Sequence, residues 1–447
     1  MINSNKIINK FLGYNNIKEL PISLFVYWPY CSRICPYCNF NKYRDTVNVD
    51  HERMSNSLSR ELQSFVNNFY RDNDEMSIID RPITSIYFGG GTPSLAKIST
   101  FVETIETMRR LFPKLRIEDI EVTLEVNPDQ KDLKNLLKDF KKYVGVNRVS
   151  LGVQSLIDSD LEYLGRSHTA KQAAESITLA KELFDHVTFD LIYSRNSKQT
   201  KEQWRNELKD ALTLSQGNGH LSLYSLTFEE GTSFFKRLSL KDSNRLKIIP
   251  PNNELASDLY DITLEETERF GFAQYEVSSF ASSNSQKGKH NQNYWRSGDF
   301  IGIGPGSSSR ITTTNDNHEI SRYSFRNILH PKDWMAKIQS DLTKPPCNAF
   351  IEDVVQHGKT NPSSTMKPLT NIEVAEEILL NGLRTVEGVQ HSTFTFQTNG
   401  LTFDKFLNMN QIESFEKQGL LTFDPTCLKL TKNGIMLLDS IIPKILK

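Results

Sequence analysis

The stretch Ser23-Leu-Phe-Val-Tyr-Trp28-Pro-Tyr-Cys31-Ser-Arg-Ile-Cys35-Pro-Tyr-Cys38 decides how the rest of the chain is read. Its first six residues are mostly aliphatic and aromatic and predict a strand. Three of the chain's five cysteines follow at once, spaced C-x3-C-x2-C, with no fourth cysteine or histidine close behind. A closed zinc site takes four ligands, usually as two pairs. Three thiolates on one tight loop suit an iron–sulfur cluster with one iron free of protein ligands, because most protein-held [4Fe–4S] clusters use four cysteines. The free iron leaves a coordination site for chemistry. A structural zinc loop with no redox role is the alternative that the count leaves open.

Working outward, further strands are predicted at Ser85–Phe88, Glu121–Val126, Arg148–Val153, Val187–Ile192 and Leu221–Thr227. Amphipathic stretches lie between them: His51–Asn67, Thr100–Leu111, Lys131–Lys141, Thr169–Leu183 and Lys201–Ser215. Strand–helix alternation implies parallel strands with right-handed crossovers. Six such units are too few for a closed eight-stranded barrel, so the predicted fold is α/β with an open, partial (β/α)6 barrel. A doubly wound sheet is the second choice. Ala281–Lys289 is rich in Ser, Asn, Gln and Lys and reads as a mobile loop. Lys344–Pro368, with four prolines, reads as a linker or insertion. Beyond it, a helix over Asn371–Leu380 ended by Gly382, helical turns over Asp404–Gln418, a hairpin and a last helix over Asn433–Leu446 resemble a winged-helix unit. The domain plan is therefore an N-terminal extension over 1–21, the partial barrel over 22–280, a further segment over 281–343, the linker over 344–368 and a winged-helix-like domain over 369–447.

Composition narrows the classes. The 447 residues are 38% apolar and 24% charged, with a net charge of −1. Those values suit a globular protein and give no basic excess for a nucleic-acid partner. No apolar run is long enough to span a bilayer. Clustered cysteines argue against a secreted disulfide framework and for a reducing compartment. Met1 to Leu20 carries three lysines and one late acid, Glu19, without an apolar core, so a secretory signal is not expected. A weak mitochondrial presequence lacking arginine and a frayed polar terminus both fit it.

Chemically suggestive residues fall at the carboxyl ends of the predicted strands, where parallel α/β barrels gather function. Cys31 follows the first strand and Gly89-Gly-Gly-Thr-Pro93 the second. Glu125 ends the third, Gln154 the fourth, and Asp190 lies near the end of the fifth. Each has a plainer reading. The glycines can be a tight turn, Glu125 a salt-bridge residue, Asp190 a helix cap and Arg166 a helix-end cation. Placed beside the cysteine loop, the glycine run's N–H and C=O groups are expected to face the ammonium and carboxylate of a polar ligand.

These motifs resemble the radical S-adenosylmethionine (SAM) superfamily, and more closely the oxygen-independent coproporphyrinogen III oxidase family. Phe25-Val-Tyr-Trp-Pro-Tyr-Cys31, Gly89-Gly-Gly-Thr-Pro-Ser94, Glu125-Val-Asn-Pro128, Arg148-Val-Ser-Leu-Gly-Val-Gln154, Leu164-Gly-Arg166 and Asp190-Leu-Ile-Tyr193 carry the likeness in order. The oxidising branch has a further cysteine two positions after the third. Here that position is Phe40. With His290-Asn-Gln-Asn-Tyr-Trp295 and Gly302-Ile-Gly-Pro-Gly306, the chain resembles the HemW-type heme-chaperone branch, and its wording resembles the mitochondrial animal members. It departs from the family in one loop, where Ser194-Arg-Asn-Ser-Lys-Gln-Thr200 replaces Gly-Leu-Pro-Gly-Gln-Thr, which puts that loop's geometry in question.

The resemblance implies that Cys31, Cys35 and Cys38 hold a [4Fe–4S] cluster whose open iron chelates SAM. Electron transfer into the sulfonium would yield methionine and a 5′-deoxyadenosyl radical. By the same likeness Phe25 and Tyr37 pack near cluster and adenine, and Gly90, Gly91 and Thr92 hold the methionine end. Glu125, Gln154, Arg166 and Asp190 make polar contacts, Asp190 to the ribose. His290 is either a heme ligand or a loop-fixing residue. Cys347 and Cys427 lack ligand spacing and read as structural or incidental. The implied role is heme binding and delivery to an acceptor protein, with a separate electron donor and a mitochondrial location, a cytoplasmic one being the alternative. Coproporphyrinogen oxidation is the alternative.

Overall fold

The computed structural model describes residues 20–45, 49–69, 78–241, 243–244, 246–314, 319–341 and 364–447. Twelve strands form one open sheet. In chain order they are β1 (Ile22–Trp28), β2 (Ile83–Gly90), β3 (Glu121–Val126), β4 (Arg148–Gln154), β5 (His186–Tyr193), β6 (His220–Ser225), β7 (Ala273–Glu276), β8 (Ser279–Ala281), β9 (Asp299–Ile303), β10 (Ser308–Thr314), β11 (Ile320–Asn327) and β12 (Ser364–Leu369). Their spatial order is β12-β11-β10-β9-β1-β2-β3-β4-β5-β6-β8-β7. The six expected strands, β1 to β6, are neighbours and parallel. They form the α/β partial barrel.

Alternation along the strands gives this sheet two unlike faces. Val122, Leu124, Val149, Leu151, Val153, Val187, Phe189 and Leu191 point outward into one large apolar core. The helices covering it present matching stripes. In His51–Asn68 the buried Met54, Leu58, Leu62 and Phe65 recur at helical spacing. Thr169 with Gln172, and Thr200 with Gln203, form capping boxes that start the helices Ala170–Leu183 and Lys201–Leu214. The inward positions are Glu121, Thr123 and Glu125 on β3, Arg148, Ser150 and Gln154 on β4, Thr188 and Asp190 on β5, and His220 and Ser222 on β6. They line a polar lumen.

Three expectations need correction. Ala281–Lys289 is not a mobile loop: it holds the end of β8, a turn over Asn284–Gln286 and the start of the helix Lys289–Trp295. Polar composition misleads there because Gln286 is buried and bonded, its carbonyl accepting from Arg148 Nη2 at 3.0 Å and its amide donating to Asp185 O at 3.2 Å. The segment 281–343 is not separate from the barrel, because β9 pairs in parallel with β1. Of the linker, residues 344–363 and Cys347 lie outside the described residues. Ser364–Pro368 belongs to β12, which pairs with β11.

The C-terminal unit has its own core, including Val374, Leu379, Phe394, Phe403, Ile412, Leu428 and Ile441. A helix over Asn371–Gly382 is followed by shorter helices and a three-stranded sheet of Val389–Gln390, Cys427–Leu430 and Leu421–Phe423. The expected last helix is two, Lys432–Ile435 and Leu438–Ile445. The turn at Leu437 lets Leu438, Ile441, Ile442 and Ile445 face inward. Cys427 sits on the middle strand with Gln390 Nε2 at 3.3 Å, a structural position. Among the described residues no helix is long and apolar enough to cross a membrane.

Candidate functional site

β1 runs into the cysteine loop through Pro29. Tyr30–Cys31 then pairs with Tyr43–Arg44, closing the loop at its base. Tyr43 N donates to Pro29 O at 2.8 Å, and Asp45 N to Cys31 O at 2.6 Å. The loop's far end is anchored by Asn41, whose Nδ2 donates to Pro305 O and Leu329 O, each at 2.9 Å. A Cβ on Gly306 would meet Asn41 Nδ2 at 2.4 Å, so the Gly302–Gly306 motif works as a seat for this loop.

Gly89-Gly-Gly-Thr92 packs directly beneath. Gly90 has φ +108°, and a side chain there would meet the Tyr27 ring at 2.7 Å. The amides of this run are already committed. Gly90 N donates to Glu125 Oε2 at 3.1 Å, Gly91 N to Trp28 O at 2.6 Å and Thr92 N to Tyr30 O at 2.8 Å. The expectation that these N–H groups face a ligand is therefore corrected: they tie this run to Glu125, to the end of β1 and to Tyr30 of the cysteine loop.

The rim above the lumen carries two hydrogen-bonded groups. Tyr87 Oη donates to Glu125 Oε1 at 2.8 Å. Arg166 donates to Asn127 Oδ1 at 2.6 Å, to Gly152 O at 2.9 Å and to Cys35 Sγ at 3.4 Å. Asn127 Nδ2 in turn donates to Thr92 Oγ1 at 3.1 Å. Burial pushes the Glu125 carboxyl up to about 7, against the hydrogen bond from Tyr87. Burial also raises Asp190 to about 6, against a hydrogen bond from Ser222 and the charge of Arg166. Gln154, at the end of β4, holds a left-handed φ of +68°. That conformation is uncommon for a residue with a side chain and is typical of constrained sites.

One cavity of about 360 Å³ takes in Cys31, Cys35, Cys38, Tyr37, Gly90, Gly91, Thr92, Glu125, Gln154, Arg166, Asp190 and His290. Phe25 is the exception. It stacks on Tyr87 with centroids 5.7 Å apart and lines a separate pocket with Tyr27, Tyr294 and Phe300. Its place one position off the rim pairs it with its strand neighbours instead of with the cysteines. Asn127 and Tyr87 belong to the rim although sequence reasoning assigned them no role. Asn127 stood in view inside Glu125-Val-Asn-Pro128, and only its contact with Arg166 reveals what it does.

His290 does not offer a ligating nitrogen. Its Nδ1 meets Ser85 Oγ at 2.9 Å and its Nε2 meets Tyr294 Oη at 2.8 Å, and the ring stacks on Tyr87. Its backbone N–H and that of Lys289 donate to the Glu121 carboxylate. Of the two roles read from sequence, heme ligand and loop-fixing residue, the geometry is that of the second. Burial lowers its pKa to about 3, so the folded state holds a neutral ring. Between that value and the ordinary ~6.5 the unfolded chain binds a proton that the folded chain refuses. The resulting stability is complete above about pH 6.5 and is lost as pH falls towards 3. In urea unfolding at pH 7 and pH 5, the stability difference between the parent and His290→Gln should shift against the parent by about 2 kcal/mol at the lower pH. An unchanged difference would show that the ring is protonated in place.

The loop after β5 has an unexpected solution. Ser194 takes φ +58° where the family resemblance expects glycine. Arg195, 1% exposed, turns inward to Glu207 Oε2 at 2.6 Å and Asp160 Oδ2 at 3.0 Å, and also donates to Ser155 Oγ at 3.0 Å. A buried ion pair thus replaces the lost turn residues beneath the strand that carries Asp190.

Cys31, Cys35 and Cys38 share one wall of the cavity. Among the described residues no three His, Cys, Asp or Glu side chains are grouped closely enough to hold one metal ion. Three cysteines set around one cavity wall can instead meet the separate corners of a polynuclear cluster. Burial pushes the Cys31 thiol up to about 11; a bound metal would stabilise its thiolate.

With this rim in place, the comparisons with known proteins agree on its class. Residues 25–197 match the Radical SAM superfamily, and residues 369–437 match the HemN C-terminal domain. The mitochondrial radical S-adenosyl methionine domain-containing protein 1 of Dictyostelium discoideum is 71% identical, over 99% of this chain and 98% of the relative. The heme chaperone HemW of Haemophilus influenzae is 29% identical, over 94% of this chain and 97% of the relative. The solved coproporphyrinogen III oxidase HemN of Escherichia coli superposes with a TM-score of 0.70 at 20% identity, covering 95% of this chain and 90% of that one. That likeness shows the fold. The chain belongs to the radical SAM superfamily, within the family of radical S-adenosyl methionine domain-containing protein 1. The mitochondrial name of its Dictyostelium relative agrees with the location expected from sequence.

Proposed function

We propose that this chain binds heme, a [4Fe–4S] cluster and SAM, and delivers heme to an acceptor protein in the mitochondrion. The observation that carries the reading is Phe40. It stands where the oxidising branch has a further cysteine, and it is 60% exposed at the cavity mouth. With Ile34, 46% exposed and lining the same cavity, Phe40 puts an apolar edge on its mouth that suits contact with a large apolar ligand or partner. Relatives named heme chaperones align over nearly the whole chain, which supports the same reading.

In this reading Cys31, Cys35 and Cys38 hold the cluster, with Arg166 beside Cys35. Glu125, Asn127, Gln154, Arg166 and Asp190 supply the polar contacts for SAM, and Tyr37 closes one side. Glu125 and Asp190, with carboxyls raised towards neutrality, can each hold or release a proton near pH 7. When bound, the cluster and SAM supply the electron-transfer chemistry, while the protein positions and shields them. His290, with both ring nitrogens taken by Ser85 and Tyr294, would fix the lumen wall in this reading and would not ligate heme iron. The partners are an electron donor and a heme-accepting apoprotein.

Heme titration of the cluster-reconstituted protein, with and without SAM, tests this. A saturable shift of the heme Soret band is expected. Its absence would refute heme binding. Anaerobic conversion of coproporphyrinogen III by the same preparation would favour the oxidase reading instead.

A further inference from the structure

The cavity continues below the SAM rim. It passes Glu125 and Asp190 and reaches a floor formed by the amino-terminal, inward positions of β3 to β6 and by the helix Lys289–Trp295. Three polar atoms on this floor have no hydrogen-bond partner: Thr123 Oγ1, Arg148 Nη1 and His220 Nδ1. Their residues are 1%, 3% and 4% exposed. Buried polar groups are almost always paired, so three orphans in one place need a reason.

They are neighbours. Thr123 lies beside Arg148 in the β3–β4 register. Arg148 Nη2 donates to Thr188 Oγ1 at 2.8 Å, and Thr188 lies beside His220 across β5–β6. Burial, and then the charge of Arg148, hold His220 neutral. Tyr275 Oη accepts from Gly288 N at 3.2 Å and lies 2.7 Å from His220 Nε2. In the tautomer where Tyr275 donates to Nε2, the remaining ring proton sits on Nδ1. The floor then presents an Arg N–H, a Thr O–H and, in that tautomer, a His N–H. Glu121 Oε2 forms an ion pair with Arg148 Nη1 at 3.6 Å, at a distance beyond hydrogen-bond reach. The Glu121 carboxylate already receives the N–H groups of Lys289 and His290, at 3.1 and 3.0 Å.

We propose that this floor is a binding subsite for a carboxylate, either a small free acid or the acidic arm of a molecule lying in the lumen. A carboxylate brings the acceptor lone pairs that three donors require, and the bond to Arg148 is charge-assisted. The inference stands apart from the heme reading, since neither Phe40 nor heme enters it.

Trifluoroacetate is a suitable probe, followed by ¹⁹F NMR on the full-length reconstituted protein. Saturable line broadening that is competed by acetate is expected. Thr123→Val, close in shape and lacking the hydroxyl, should weaken binding about tenfold, and Arg148→Lys at least as much. Circular dichroism and the cluster absorption identify variants that keep their fold. Tighter competition by an aryl propionate than by acetate would assign the site to an acidic arm, and equal competition to a free acid. Broadening that does not saturate, affinity unchanged in both variants, or ordered water alone on the floor in acetate-soaked crystals would each overturn the proposal.

Discussion

Cys35→Ser should reduce cluster content from about four irons per chain to near zero. A cubane held by three protein thiolates has no spare ligand, and a serine hydroxyl is a poor substitute for soft thiolate coordination of iron. Cys35 is also the thiol that Arg166 touches, at 3.4 Å. The change therefore removes a ligand and one anchor of the rim array that runs through Asn127 to Thr92. Iron and sulfide analysis after anaerobic reconstitution reads the result, together with the broad visible absorption of the cluster. Cys427→Ser, in the C-terminal sheet, is the control and should keep full content. Retention of the cluster by Cys35→Ser would remove the three-thiol assignment altogether. Zinc without sulfide in the parent protein would restore the structural zinc loop.

Arg195→Met should destabilise the barrel by about 3–5 kcal/mol. Arg195 and Glu207 are 1% and 0% exposed, with Nη2 and Oε2 at 2.6 Å. Removing the guanidinium leaves Glu207 buried and charged, with, among the described residues, Ser155 Oγ and Leu156 N still donating to it. Asp160, at 3.0 Å from Arg195, loses its cation as well. The double change Arg195→Met with Glu207→Leu should recover most of the loss, because a well-packed apolar pair can replace a buried ion pair at little cost. Urea unfolding followed by tryptophan fluorescence reports it, since Trp204 lies on the same helix as Glu207 and is fully buried. If the single variant loses less than about 1 kcal/mol, Arg195 is not what stabilises this departed loop.

The fold was legible because strands and helices announce themselves through apolar periodicity, a local property. The parallel core β1 to β6 and the cysteine loop follow from residues close together in sequence. The errors share a cause. Ala281–Lys289 looks like a loop because its polar side chains are judged without their partners, and Gln286 finds Arg148 and Asp185 more than 100 residues away. The β9 strand looks detached from the barrel because its partner, β1, lies near the other end of the chain. At His290, where the sequence left two readings open, Ser85 and Tyr294 take both nitrogens and favour the loop-fixing one.

The sequence by itself determined the three-thiol loop, the parallel α/β core and the order in which rim residues reach the strand ends, because spacing and period two are written along the chain. Only the tertiary structure decided which of these groups are still available. The amides of Gly90 to Thr92 go to Glu125, Trp28 and Tyr30, Phe25 turns away from the cavity, Arg195 rebuilds a turn through Glu207, and three polar atoms on the lumen floor stay without hydrogen-bond partners. Hydrogen-bond satisfaction is settled across strands, between residues far apart in sequence, and no local pattern encodes it.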